Sequence, residues 1–318
     1  MEFKRYPSLD NHYQNKVIDR WLNYNPELQE IEMLVTEKID GANFQIVIHK
    51  DGTIQCGKRT TFLAPDEKFN NYQEIIKKYD DKLDKLKAYV AGNDDIEYLK
   101  LYGEIYGKGI NNRVAYCEDK EIAIFKVLFE NYDAGVKKAQ ELFTELDIMD
   151  WWVPVLGKFK LMDALKIDVE TMKTIVNPDY ETEGNRMSEG VVIEPYDKAY
   201  FSGNGDCFIL KLKSEAFNDK GVDKKRREPV VYSDEYTKML TIWQGYINEN
   251  RLIDLFSKEG EIDDPKEMGR YIRLMLDDAK TDFFKDHLEE FKLLPQKEQK
   301  FIIGTAGRRI APMLQRFL

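Results

Sequence analysis

Apolar residues follow two different periods along this 318-residue chain, and the change of period divides it. Up to about residue 229, short runs rich in β-branched and aromatic residues alternate with stretches of helical spacing. Val35 to Lys38, Phe44 to Ile48, Ile54 to Arg59, Tyr98 to Tyr106, Ile122 to Phe129, Gly190 to Glu194 and Cys207 to Lys213 have strand composition. Lys50-Asp51-Gly52-Thr53 supplies a hairpin turn between two of them, and Gly203-Asn204-Gly205-Asp206 a turn between two later ones. Helical spacing predicts one helix over Glu67 to Val90, where Tyr72, Ile75, Ile76, Tyr79, Leu83 and Leu86 recur on one face, and another over Asp133 to Leu146. These elements predict a mixed or antiparallel sheet covered by helices. From Ser233 to Leu318 only helical spacing remains, as in Leu240, Trp243 and Ile247 and again in Tyr271, Leu274 and Met275. Between the two regimes lies a charged stretch from Asp219 to Glu228, with Lys220, Lys224, Lys225, Arg226 and Arg227, closed by Pro229, which cannot continue a helix. The expected organisation is an α+β domain over residues 1–229 and a small all-α domain over 230–318.

Composition narrows the class without naming a chemistry. At 42% hydrophobic the chain can bury a sizeable core. It shows no signal-peptide pattern, and no apolar run approaches the ~20 residues that span a bilayer, so a cytoplasmic protein that engages no membrane is expected. Cys56, Cys117 and Cys207 form no Cys-x-x-Cys pair, and His12, His49 and His287 lie far apart, which argues against zinc and against a disulfide framework. A net charge of −10 disfavours a protein that coats nucleic acid indiscriminately, so any such contact must use local basic patches. No Gly-x-x-x-x-Gly-Lys-Ser/Thr loop is present, which disfavours a P-loop ATPase.

The chemistry-bearing segment is Glu37-Lys38-Ile39-Asp40-Gly41-Ala42-Asn43-Phe44 at a strand end. A lysine amine attacks an electrophile only when deprotonated, so a nucleophilic lysine needs burial or neighbouring cations to lower its pKa from about 10.4. On its own, Lys-x-Asp-Gly reads as an exposed hairpin end. Downstream come Lys58-Arg59-Thr60, Tyr102-Gly103-Glu104-Ile105-Tyr106-Gly107, Ile124-Phe125-Lys126-Val127, Ser188-Glu189-Gly190-Val191-Val192-Ile193 and Leu210-Lys211-Leu212-Lys213. Each is bland alone; the alternation of Lys211 and Lys213, for instance, is what any half-exposed strand shows.

In this order the segments resemble the covalent nucleotidyltransferase superfamily of ATP-dependent ligases and RNA capping enzymes. Within it, the chain is similar to the nick-sealing RNA ligase family typified by the second RNA ligase of T-even bacteriophages, which includes the kinetoplastid RNA-editing ligases. Lys4-Arg5-Tyr6-Pro7-Ser8-Leu9-Asp10-Asn11-His12-Tyr13 resembles that family's opening, and Asn248 to Leu252 with Ser257 to Glu261 its helical C-terminal domain. The resemblance implies an antiparallel or mixed-sheet nucleotidyltransferase domain, ATP-grasp-like in its ligase catalytic fold, followed by a helical RNA-engaging domain. It implies that Lys38 attacks the α-phosphorus of ATP, and that Lys58, Arg59, Lys211 and Lys213 are the cations around it, with Mg²⁺ (or Mn²⁺) as metal. Glu104 would take the ribose hydroxyls, Phe125 would stack on adenine, Glu37 would help recognise the base, Glu189 would serve the metal, and Asn43 would lie near the substrate end. Arg251, Asp278 and Asp282 would engage RNA. The implied partner is nicked double-stranded RNA or an RNA/DNA hybrid, sealed by a monomer, in a host cytoplasm if the source is viral.

Three positions depart from the family pattern. Asp40 stands where the phage member has histidine, although aspartate is usual in the wider superfamily. Lys126 follows the stacking aromatic where an acidic residue is usual, so either another carboxylate substitutes or Phe125 is not the stacking residue. Glu194 stands where a lysine is expected. A DNA ligase or capping guanylyltransferase of the same superfamily is the nearer alternative, but each normally carries a five-stranded OB-fold that Ser233 to Leu318 lacks the strands to form. A catalytically silent nucleotide- or RNA-binding relative is the other.

Overall fold

The computed structural model describes residues 3–7, 9–130, 132–202, 206–217, 233–262 and 264–317. Its strands are β1 (Asp10–Asn11), β2 (Glu32–Glu37), β3 (Ala42–His49), β4 (Ile54–Lys58), β5 (Tyr98–Tyr106), β6 (Glu121–Phe129), β7 (Val155–Lys160), β8 (Gly190–Pro195) and β9 (Leu210–Lys213). Its helices are α1 (Asn15–Tyr24), α2 (Tyr72–Lys77), α3 (Asp80–Ala91), α4 (Val136–Glu145), α5 (Leu161–Ala164), α6 (Asp234–Gly245), α7 (Glu249–Glu259), α8 (Met268–Leu293), α9 (Gln296–Gly304) and α10 (Ala306–Leu314). They fall into two compact units, one of residues 1–14 and 30–226, the other of residues 15–29 and 227–318. The expected boundary at 229/230, the basic stretch from Lys220 to Arg227 and the turn at Gly203 to Gly205 lie outside the described residues.

The first unit is α+β and contains two sheets where the sequence predicts one. A four-stranded antiparallel sheet has the order β4-β3-β5-β6, and a five-stranded mixed sheet the order β1-β9-β8-β2-β7. In the second, β1 runs parallel to β9, pairing Asp10 with Leu210. The edge strand β7 escaped the sequence reading because Val155–Lys160 is largely exposed and lacks a continuous apolar face. The helix expected over Glu67 to Val90 is two helices, broken between Lys77 and Asp80. Leu83, Leu86 and Val90 of α3 and Val136, Leu142 and Phe143 of α4 are buried in one core with Phe44, Ile46 and Leu101 of the four-stranded sheet.

Two backbone contacts tie the sheets together close to Lys38. The Val153 N–H donates to Ile124 O at 2.7 Å, and the Glu37 N–H donates to Pro154 O at 2.9 Å, so the 152–154 segment reaches both β6 and β2. Gly41 is needed for closeness more than for turning. A Cβ there would sit 2.2 Å from Ile105 O and 2.8 Å from Glu104 Cγ.

The second unit is helical. Residues 15–29 belong to it, although they precede most of the strands: Ile18, Trp21 and Leu22 of α1 are buried, Tyr236 Oη of α6 donates to Asn23 Oδ1, and Gln244 Nε2 donates to Asn23 O at 3.2 Å. A ten-residue helix is marginal in isolation, so tertiary partners must sustain it. Ser233 caps α6, accepting the Tyr236 N–H at 3.1 Å, and Asn248 caps α7, accepting the Arg251 N–H at 3.0 Å. Trp243 and Phe283 meet edge to face at 5.0 Å in its core. No helix among the described residues is long and apolar enough to cross a membrane.

Gly41→Ala should cost about 1–3 kcal/mol, the usual range for forcing atoms into packed space. The check is a urea melt, in which the midpoint should fall with the slope unchanged; an unmoved midpoint would mean that the loop after Lys38 is not seated against β5.

Candidate active site

Lys38 leaves the end of β2 with its backbone held by β8: its N–H donates to Gly190 O at 2.9 Å. Its Nζ lies 2.6 Å from Glu189 Oε2, while Glu189 Oε1 lies 2.9 Å from Lys213 Nζ. The Glu189 side chain is only 3% exposed, so a buried carboxylate has both oxygens occupied by ammonium groups. Gly190 explains why a Glu-Gly pair is needed here. Its φ is +146°, and a Cβ would stand 2.0 Å from Leu212 O, so only glycine lets β9 close on β8 and deliver Lys213. The Ser214 N–H completes the junction, donating to Glu189 O at 3.0 Å.

Around this ion triad opens a cavity of about 340 Å³, within the range that takes small ligands, with walls drawn from both sheets of the first unit. Lys38, Glu37, Asn43 and Arg59 line it, as do Glu104, Phe125, Lys211 and Lys213. Alternation along β9 turns Leu210 and Leu212 into the core and leaves Lys211 and Lys213 on the cavity face, which excludes the solvated-face reading of that strand. Lys58 stands apart: it does not line the cavity, and its ammonium is 2.5 Å from Glu67 Oε1. Glu189 reaches the cavity through its two lysine partners.

Glu104 lies opposite Asn43 in the β3/β5 register and hydrogen-bonds its side chain. Burial raises the Glu104 carboxyl to about 7; Lys38 opposes the rise and Glu189 adds to it. Glu37, also pushed up by burial, accepts the Ile175 N–H at 2.8 Å on Oε2. Its Oε1 is buried and makes no hydrogen bond among the described residues. Phe125 is half-buried beside Tyr6, ring centroids 5.0 Å apart.

Several residues that hold this site carry no local signal in sequence. Asp40 is buried, gripped through both oxygens by Arg113, with Nε 3.0 Å from Oδ2, and by Asn111 Nδ2 at 3.1 Å. Its N–H donates to Tyr116 Oη at 2.8 Å. Arg186 donates to four carbonyls, those of Ala115, Tyr116, Val176 and Asn177, fastening two loops behind Lys38 and Glu37. Only the fold reveals most of these partners, because all but the Val176 and Asn177 carbonyls lie 70 or more residues away in the chain.

The departures at 126 and 194 prove to face each other. Lys126 Nζ is 2.8 Å from Glu194 Oε2 and 2.8 Å from Asp133 Oδ2, all three groups being buried. Lys126 is thus flanked by two carboxylates, and Phe125 lies on the cavity wall. In the second unit, Arg251, Asp278 and Asp282 are brought together: the guanidinium bonds Asp278 and lies 2.7 Å from Asp282 Oδ2, joining α7 to α8.

A family model described as RNA ligase matches residues 31–213, and one described as T4 RNA ligase 2 C-terminal matches residues 230–311. The chain belongs to the RNA ligase family. Solved structures similar to it are mutant forms of a Naegleria gruberi RNA ligase with ATP and Mn (16% identity, 68% of this chain and 57% of that chain, TM-score 0.48). A form with AMP and Mn gives 18% identity, 68% and 58% coverage and a TM-score of 0.49. The same ligase with PPi gives 19%, 70%, 59% and 0.46. This chain thus spans a little over half the length of those ligases.

The raised Glu104 carboxyl has a measurable consequence. Between its unfolded value of 4.5 and about 7, the folded chain holds a proton that the unfolded chain has released. Its contribution to stability is therefore full below 4.5, falls as pH rises through that window, and is level above it. Denaturant melts across pH 4.5 to 7 should show this component, and Glu104→Gln should remove it; an unchanged pH slope in the variant would refute the assignment.

Proposed function

We propose that this chain is an ATP-dependent RNA ligase that seals a 3′-hydroxyl to a 5′-phosphate at nicks in duplex RNA or an RNA/DNA hybrid, working as a cytoplasmic monomer. The observation that carries the reading is the placement of Lys38 Nζ in a cavity with Arg59, Lys211 and Lys213, oriented by Glu189 at 2.6 Å. Family membership supports the same class.

The chemistry runs in three displacements. The Lys38 amine, having lost its proton, attacks the α-phosphorus of ATP; a P–N bond forms, a P–O bond breaks and pyrophosphate leaves. A 5′-phosphate oxygen of the nicked strand then attacks the same phosphorus, releasing Lys38 and making a 5′–5′ pyrophosphate linkage to AMP. The 3′-hydroxyl finally attacks the 5′-phosphorus, loses its proton and expels AMP. Little covalent work falls to the protein beyond the amine itself, so fixed cations carry much of the rate by stabilising charge on the phosphoryl oxygens. Lys211 and Lys213, rigid on β9, and Arg59 are suited to that. Glu104 would accept the ribose hydroxyls, the free oxygen of Glu37 would accept an exocyclic amine, and Phe125 would stack on the base.

A hard divalent cation fits the residues present. Mg²⁺ commonly takes one or two carboxylates and completes its shell with phosphate oxygens and water; Glu189 would join such a shell through Oε2 once Lys38 has lost its proton and released it. Bound there, it would neutralise charge on the transferring phosphate.

Incubation with ATP labelled at the α-phosphate should leave a covalent adduct on the wild type and none on Lys38→Ala, while label from GTP should not attach. Label on Lys38→Ala at wild-type yield would remove Lys38 from the role, and a GTP adduct would favour a capping activity.

Every segment of the nucleotide cavity lies before residue 214, so the 230–318 domain is assigned to duplex engagement through Arg251, Asp278 and Asp282. Duplex RNA is read largely by shape, phosphates and 2′-hydroxyls, which a helical module can contact. A form ending near residue 230 leaves residues 15–29 without their helical partners, yet should retain adduct formation and lose sealing of nicked RNA. Sealing at full-length rates would refute the division of labour.

A further inference from the structure

The buried triad of Lys126, Glu194 and Asp133 is outside the reacting centre, yet it borders the cavity. Lys126 lies on β6 of the four-stranded sheet and Glu194 on β8 of the five-stranded one, so their 2.8 Å contact joins the two sheets across the cavity's end. Glu194 stands four residues along β8 from Gly190, roughly 13 Å from the Lys38 end at about 3.3 Å per residue. Asp133 is itself fixed, its Oδ1 accepting the Gly135 N–H at 3.0 Å.

Two members of the triad sit beside cavity residues in the chain. Lys126 directly follows Phe125, and Glu194 lies two positions after Val192 on the same face of β8; Phe125, Val192 and Glu194 all line the cavity. Phe125 and Val192 pack against one small cluster that includes Tyr6, Tyr102 and Leu128. The Tyr6 hydroxyl lies in the field of Glu194, Lys126 and Asp133. Charges this deeply buried hold their partners firmly, because removing one leaves the others uncompensated at a cost far above that of a surface pair.

We propose that Lys126, Glu194 and Asp133 form a positioning unit that fixes β6 against β8, and so sets the stretch of cavity wall that carries Phe125 and Val192. The proposal rests on the nucleotide reading of the cavity. The unit touches no reacting atom; it acts through the two apolar wall residues next to it. One lysine between two carboxylates performs this with the sign at each position opposite to the pattern the family resemblance implies, which is why neither residue is interpretable alone.

The test compares Lys126→Met, Glu194→Gln and an exchanged variant, Lys126→Glu/Glu194→Lys with Asp133→Asn to remove the like charge that would face Glu at 126, in the full chain, with α-labelled ATP as probe and thermal melts as the folding control. Each single variant should raise KM for ATP in adduct formation by about tenfold or more, exceeding any fall in the rate at saturating ATP, as expected when binding geometry is disturbed. The exchanged variant, which restores one buried ion pair between β6 and β8 with no like charge beside it, should return KM to within about threefold of wild type. If Lys126→Met fails to fold, Glu194→Gln and the exchanged variant decide. Folded variants with unchanged KM, or an exchanged variant as impaired as the worse single variant, would overturn the positioning role while leaving the nucleotide reading intact. A wild type that takes up no label from ATP would overturn both.

Discussion

The Glu189 carboxylate, buried between Lys38 and Lys213, is the contact on which the site depends. A carboxylate in that position cannot be left unpaired, and each lysine beside it would be costly to bury without it. Its backbone is pinned as firmly as its side chain, because Gly190 allows β9 to approach and the Ser214 N–H closes on the Glu189 carbonyl. The nucleophile, one of the phosphate-facing cations and the strand pair β8/β9 are therefore set by a single junction. Movement of any of the three would be felt by the other two. The arrangement also fixes the order of the cavity, with charge at this end and the aromatic and aliphatic residues Phe125 and Val192 on its other walls.

Much of this was legible in the sequence, and the reason is periodicity. Lys211 and Lys213 could be placed on one face by alternation alone, and strands β3, β5, β6 and β8 announce themselves through β-branched and aromatic runs whose faces are buried. Grouping Lys38 with Glu104, Phe125 and Glu189 required the resemblance, since nothing in spacing says that residues dozens of positions apart share a cavity. Edge strand β7 was missed because half-exposed strands lack the apolar signature, and the break near Lys78 because the helical spacing continues across it. Residues 15–29 were assigned by proximity in sequence, whereas Trp21 and Leu22 are buried in the helical unit. A helical stripe states that a partner exists and does not state which.

Charge signs were the hardest to read. Lys126 and Glu194 each look anomalous in a linear text, and Arg113 looks like an ordinary surface residue until Asp40 is found beneath it. Burial turns such pairs into specific constraints, because an unmatched ion in the interior is far more costly than one in water. Sequence alone supplies the charges without the pairings. The overall excess of acid says nothing about the local field, which in this cavity depends on how Lys38, Arg59, Lys211 and Lys213 are set against Glu37, Glu104 and Glu194.

The parallel pairing of β1 with β9 joins residues two hundred positions apart, and residues 15–29 likewise wait for partners in the last third of the chain. During synthesis, β1 and α1 therefore leave the ribosome long before the strand and helices they pair with have been made. Neither unit can be finished in the order in which it is made. Such long-range closures are slow relative to local ones, and they leave the amphipathic α1 exposed for much of translation, when unpaired apolar surface is most prone to association.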